Sequence, residues 1–116
     1  MDFRELEVWK QSMDLTEEIY RITRSFPKEE TFGLTGQMRR SALSIPSNIA
    51  EGNGRKLPND YVRFLRISLG SLLEVITQLE LARRMEFVPA EIHSRLLEKC
   101  NTINKMLASL IKVISK

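Results

Sequence analysis

Apolar residues recur along this chain at alternating three- and four-residue steps, the spacing of helices with one buried face. Four segments carry the pattern. The first predicts a helix over residues 5–25. Leu6, Trp9, Met13, Thr16, Tyr20 and Thr23 form one stripe, Val8, Leu15, Ile19, Ile22 and Phe26 lie beside it, and Glu17, Glu18, Arg21 and Arg24 stand opposite. Asp2 and Glu5 have capping-box spacing for its start, and Pro27 supplies its stop. After a connection whose Lys28, Glu29 and Glu30 read as solvated, Leu34, Met38, Ala42, Ile45 and Ile49 predict a second helix over residues 34–51. Pro46 falls inside it. Proline has no N–H to offer the carbonyl of Ala42 and crowds that turn. The apolar spacing continues through Pro46 in register, so a kink is expected rather than a break.

The third helix is expected over residues 58–85, with Pro58 at the first helical position. Tyr61, Leu65, Ser68, Leu72, Val75, Leu79 and Ala82 keep one stripe. Val62, Leu69 and Ile76 flank it, and Phe64, Ile67, Leu73 and Leu81 lie farther round. A helix this apolar around its circumference is buried on more than one side. One small core cannot cover it all, so the remainder is expected to meet another copy of the chain. A fourth helix over residues 90–114 places Ile92, Leu96, Ile103, Leu107, Leu110 and Ile114 inward. Four helices with short connections predict an all-α, antiparallel up-down four-helix bundle, one domain spanning 1–116, with its second helix kinked at Pro46.

Composition fits a single core. The chain has 116 residues, 42% of them hydrophobic, and a formal net charge of +3. One cysteine, Cys100, allows no internal disulfide, which suits a reducing cytoplasm. The first ten residues hold no apolar run of signal-peptide length, and no uninterrupted apolar stretch is long enough to span a membrane.

Catalytic and metal chemistry find little to work with. His93 is the one histidine, and Glu91 precedes it at the wrong spacing for the Glu-x-x-His pairs of a di-iron bundle. It is expected at the surface. Cys100 is expected to be a buried, inert thiol, and Trp9 and Tyr20 to be packing residues. Gly52-Asn53-Gly54-Arg55-Lys56 lacks the preceding strand and the spacing of a phosphate loop, and reads as a helix cap using glycine's positive φ. No cofactor is implied.

Two sets of residues remain. Arg39, Arg40, Arg55, Lys56, Arg63 and Arg66 are candidate phosphate contacts, against ion pairing with Glu51 or Glu74 as the alternative. Pro46, Asn48, Glu51, Gly52, Gly70, Ser71 and Glu74 are candidate architectural or interface residues, because small side chains in mid-helix let backbones approach closely. A desolvated Glu51–Glu74 pair would point instead to an enzyme.

Phe3 with LEVW at 6–9, FP at 26–27, FGLTGQMRRSALSIPSNIAEGNGR at 32–55, FLRISLGSLLE at 64–74 and LELARR at 79–84 together resemble the four-helix-bundle proteins encoded in intervening sequences of bacterial 23S rRNA genes. That family is similar in turn to the accessory variability proteins of diversity-generating retroelements. The resemblance implies a homopentameric barrel, and no biochemical activity is established for the family's members. By the more distant similarity it implies binding of RNA or DNA and association with a reverse transcriptase. Gly36, Leu57-Pro58 and Ile76 depart from the family's usual residues. The expected function is therefore a non-enzymatic, cytoplasmic, homo-oligomeric scaffold that binds nucleic acid. The alternative is an oligomeric protein-interaction module that does not, with an arginine-poor or ion-paired assembly surface.

Overall fold

The computed structural model describes residues 2–116. Four long helices make up the fold: α1 (Glu7–Thr23), α2 (Leu34–Asn53), α3 (Pro58–Arg84) and α4 (Ala90–Ile114). Each packs against two others, α2 between α1 and α3, and α4 between α3 and α1, in a body measuring 44 × 25 × 20 Å. Leu15 and Ile19 of α1, Met38, Ala42, Ile45 and Ile49 of α2, Leu65, Leu72, Val75 and Leu79 of α3, and Leu96, Ile103 and Leu107 of α4 are fully buried between them. Phe26 and Phe87, with rings 5.4 Å apart, fill the space between the connections at one end.

The third stripe is the one the periodicity reads best. Leu65, Ser68, Leu72, Val75, Leu79 and Ala82 are buried, and Tyr61 packs half-buried against them. In α1 the buried line is turned from the expected one. It runs through Val8, Ser12, Leu15, Thr16, Ile19 and Thr23. Trp9 is half-buried with its ring edge-on to Phe3 at 5.4 Å, and Tyr20 lies at the surface beneath the Arg39 guanidinium, 4.9 Å from the ring centre. Ser12, outside the expected stripes, and Thr16, within them, lie inward because they return their hydroxyls to backbone carbonyls one turn back, at Val8 and Ser12, and so bury no unpaired polar group.

The helix ends also differ from the sequence reading. Asp2 caps a separate 3-10 turn, Phe3–Glu5, by accepting from the Arg4 amide, and Leu6 is extended before α1 begins. α1 stops at Thr23, whose hydroxyl donates to Ile19. Glu30 is half-buried rather than solvated, because its carboxylate accepts from the Leu34 amide at the positive end of the α2 dipole.

α2 continues as one helix across Pro46. The carbonyl that Pro46 leaves without an amide, that of Ala42, lies 3.1 Å from the Thr16 hydroxyl of α1. From the other side, the Ser68 hydroxyl of α3 donates to the Ile45 carbonyl at 2.8 Å. Both neighbours thus supply donors to the turn the proline disturbs, which makes its cost bearable. The α2–α3 seam continues with Ser71 to Ser44 at 2.8 Å and Gln78 to Ser41 at 3.1 Å.

Gly52 is a correction. It lies inside α2 rather than beyond its end, Gly54 forms the C-cap with φ −79°, and no glycine has positive φ among the described residues. Its role is steric. A Cβ there would come 2.9 Å from both Phe64 Cβ and Tyr61 Cδ1, and 3.2 Å from the Tyr61 carbonyl. Glycine lets α2 and α3 close on one another just before their connecting turn. No helix among the described residues is long and apolar enough to cross a membrane.

Candidate nucleic-acid interface

The basic candidates divide by what holds them. Arg39 is engaged within the chain. Its Nε donates to the Thr23 hydroxyl at 2.9 Å, its Nη2 to the Tyr20 carbonyl at 3.3 Å, and its guanidinium lies over the Tyr20 ring. These contacts tie α2 to the last turn of α1, where the carbonyl-rich helix end favours a cation. Arg40, its neighbour on the exposed side, lies back along α2 over Gly36, where a Cβ would sit 3.3 Å from its Nη1. Serine in place of Gly36 would crowd that arrangement.

Arg55 and Lys56 lie in the turn between α2 and α3, and Arg63 and Arg66 in the first turns of α3. Arg55 pairs with Glu51 at 3.1 Å, one helical turn back. Its guanidinium carbon lies 4.8 Å from the centre of the Phe64 ring, and that of Arg63 lies 4.5 Å from it. Phe64 therefore holds two cations close together despite their repulsion, through attraction of each for the π cloud. Arg63 and Arg66 line an open cleft with Asn59, Val62, Ile67 and Ser115, which brings the end of α4 alongside the start of α3. Lys112 and Lys116 flank Ser115 in sequence. Among the described residues, Arg40, Lys56, Arg63 and Arg66 form no ion pair with a carboxylate.

The architectural candidates are placed as follows. Asn48 stays within its own helix, donating to the Ser44 carbonyl at 2.8 Å and hydroxyl at 3.0 Å. Ser71 joins the α2–α3 seam. Gly70 faces open space, with nothing within 4 Å of a would-be Cβ. Glu51 and Glu74 are both exposed, and Glu51 is occupied by Arg55, so they form no desolvated carboxylate pair. Glu74 instead lines a cleft of about 280 Å³ with Gln37, Arg40, Ser41, Ser44, Ser71 and Gln78.

Cys100 is fully buried in α4, and burial pushes its thiol up to about 12. A thiol so far from ionising at neutral pH is no nucleophile. His93 is half-buried rather than at the surface. Its Nε2 sits 3.6 Å from Glu80, which also pairs with Arg84 at 3.0 Å. Sequence periodicity could not find that cluster, because its members come from different helices. A second polar cluster was missed for the same reason. Glu18 of α1 pairs with Arg95 of α4 and lies 3.9 Å from Lys99.

A sequence model of the 23S rRNA-intervening sequence protein family matches residues 4–109. Among solved structures, the chain is similar to a protein of unknown function of the S23 ribosomal protein family from Bacteroides thetaiotaomicron VPI-5482. The two share 28% identity with a TM-score of 0.85, over 97% of this chain and 99% of that one. No curated protein matches the chain.

Proposed function

The chain belongs to the 23S rRNA-intervening sequence protein family, and we propose that it is a non-enzymatic, homo-oligomeric helical scaffold that binds RNA or DNA through backbone phosphates. The observation that carries this reading is the set of cations around the α2–α3 turn. Lys56, Arg63 and Arg66 have no carboxylate partner among the described residues, and Arg63 shares the Phe64 ring with Arg55. Each such cation that reaches a phosphate releases a counterion, and repetition of the cluster in an assembly adds those contacts together. Arg40 is a further free cation, while Arg39 is the candidate least available for phosphate.

The proposal includes an antiparallel up-down arrangement in one cytoplasmic domain. Contacts of Thr16 with Ala42 and of Thr23 with Arg39 support it for α1 and α2, and those of Ser68 with Ile45 and of Gln78 with Ser41 for α2 and α3. It also includes a kink at Pro46, which the side-chain donors around that turn favour. Self-association, in a pentamer by family resemblance, is supported by Ile67, Leu73 and Leu81, which α3 leaves exposed.

The engagement of Arg39 and the Arg55–Glu51 pair favour a second reading, an interaction module that ignores nucleic acid. Binding of a structured RNA measured across a salt series separates the two. The scaffold reading expects binding that tightens as salt falls, and the second reading expects none.

A further inference from the structure

The cleft beside Arg63 and Arg66 offers more than charge. It measures about 520 Å³, inside the range of roughly 300–1,000 Å³ usual for small-ligand sites. Val62 and Ile67 give it apolar surface, and Asn59 and Ser115 add an amide and a hydroxyl. Arg63 and Arg66 bring two guanidinium groups that no carboxylate holds among the described residues. Ile67 is 41% exposed, so the chain's own core leaves it uncovered. The Arg63 guanidinium is already placed, 4.5 Å from the centre of the Phe64 ring.

Phosphates account for the arginines alone and gain nothing from Val62 or Ile67. A duplex turns its phosphates outward and keeps its bases stacked inside, so it leaves this apolar surface wet. An unpaired nucleotide matches every part of the cleft. Its base has flat faces that pack on aliphatic and guanidinium surfaces. Its edge has donors and acceptors for an amide and a hydroxyl. Its flanking phosphates suit the free arginines. We infer that the cleft takes one unpaired nucleotide, so that the chain prefers a single strand of RNA or DNA to a duplex. The inference rests on the nucleic-acid reading above and names the form of nucleic acid it binds. Phe64 acts as a positioning residue: by holding the Arg63 guanidinium it reduces the freedom lost when the base arrives. Ile67 is thereby assigned to the ligand. Leu73 and Leu81, which line a different cleft with Leu34 and Gln37, remain for self-association.

Fluorescence anisotropy of the full chain with short labelled probes of equal length tests this at about 50 mM salt. The probes are oligo-uridylate, oligo-thymidylate, a DNA duplex and an abasic single strand. Charge alone favours the duplex, whose phosphates release more counterions per contact than those of a single strand. Preference for the strand therefore reports contact with bases. The better of the two base-bearing strands is expected to bind about tenfold more tightly than the duplex or the abasic strand, and which of the two it is tells RNA from DNA. Ile67→Ser and Asn59→Ala, both at exposed positions, are each expected to weaken strand binding about threefold or more and to narrow that preference. Circular dichroism and light scattering confirm that each variant keeps its fold and size. A duplex or abasic strand bound as tightly as the base-bearing strands, or strand affinity that neither substitution lowers, would overturn the inference and leave phosphate binding standing. A natural chain that binds no probe would overturn both.

Discussion

The Thr16 hydroxyl of α1 lies 3.1 Å from the Ala42 carbonyl of α2, the acceptor that Pro46 cannot serve. It also lies 2.8 Å from the Ser12 carbonyl in its own helix, so one buried hydroxyl stands between two helices at the proline turn. A proline inside a long helix is thereby compensated from outside the helix.

Replacing Thr16 with valine keeps the shape and removes the donor. Thr16→Val is expected to cost about 1–2 kcal/mol, because the Ala42 carbonyl is left buried without a partner. In a Pro46→Ala background the helix provides its own amide there, and the same change is expected to cost about 1 kcal/mol less. Urea denaturation of the four proteins in the cycle measures the coupling. Equal costs in both backgrounds would show that Thr16 does not serve Ala42.

Gly52 makes the opposite case from an exposed helical glycine. Alanine is the better helix former by about 1 kcal/mol, yet its Cβ would sit 2.9 Å from Phe64 and Tyr61. Gly52→Ala is expected to destabilise by about 1–3 kcal/mol, the usual range for an overpacked contact, read as a lowered denaturation midpoint.

Cys100 ties stability to alkaline pH. Burial raises its thiol from 9.0 to about 12 in the folded chain, so below pH 9 both folded and unfolded chains hold the proton and the stability is fully present. Above pH 9 the unfolded thiol ionises first, and stability is lost as pH rises toward 12. The measurement that isolates the thiol is the difference between the natural chain and Cys100→Ala. That difference is expected to shrink steadily between pH 9 and 11 and to stay constant from pH 6 to 8. A thiol reagent at pH 8 is expected to modify Cys100 no faster than the protein unfolds.

Arg39 and Arg40 are adjacent but belong to different tests. Arg39→Ala removes two hydrogen bonds and the stacking on Tyr20, and is expected to lower stability by about 1–2 kcal/mol. Its effect on the salt dependence of nucleic-acid binding is expected to be small. Thermal melts alongside binding curves distinguish the two effects.

These cases mark what the sequence makes legible. The helix limits of α3 and α4 and the α3 core line follow from one-dimensional periodicity, because a long amphipathic stripe is repeated often enough to override single exceptions. The α1 core line differs from the expected stripes chiefly at Ser12, whose polarity hides that its hydroxyl is satisfied by the Val8 carbonyl. Gly52 was misread because a glycine near a helix end has two uses, a left-handed cap and a close approach, and only the position of Phe64 and Tyr61 decides between them. In the candidate interface, the arginines were visible as residues but their availability was not. Arg39 and Arg40 look alike in sequence, and α1 engages one of them. The sharing of Phe64 by Arg55 and Arg63 needs the α2–α3 turn to fold first.

The most direct measurement is the affinity of the full chain for a structured RNA between about 50 and 200 mM salt, beside a variant with Lys56, Arg63 and Arg66 changed to alanine. Binding through phosphates predicts that log K falls linearly with log salt, and that the variant binds more weakly at every salt with a shallower slope. Absence of binding by the natural chain at the lowest salt, or a slope unchanged in the variant, would contradict the account.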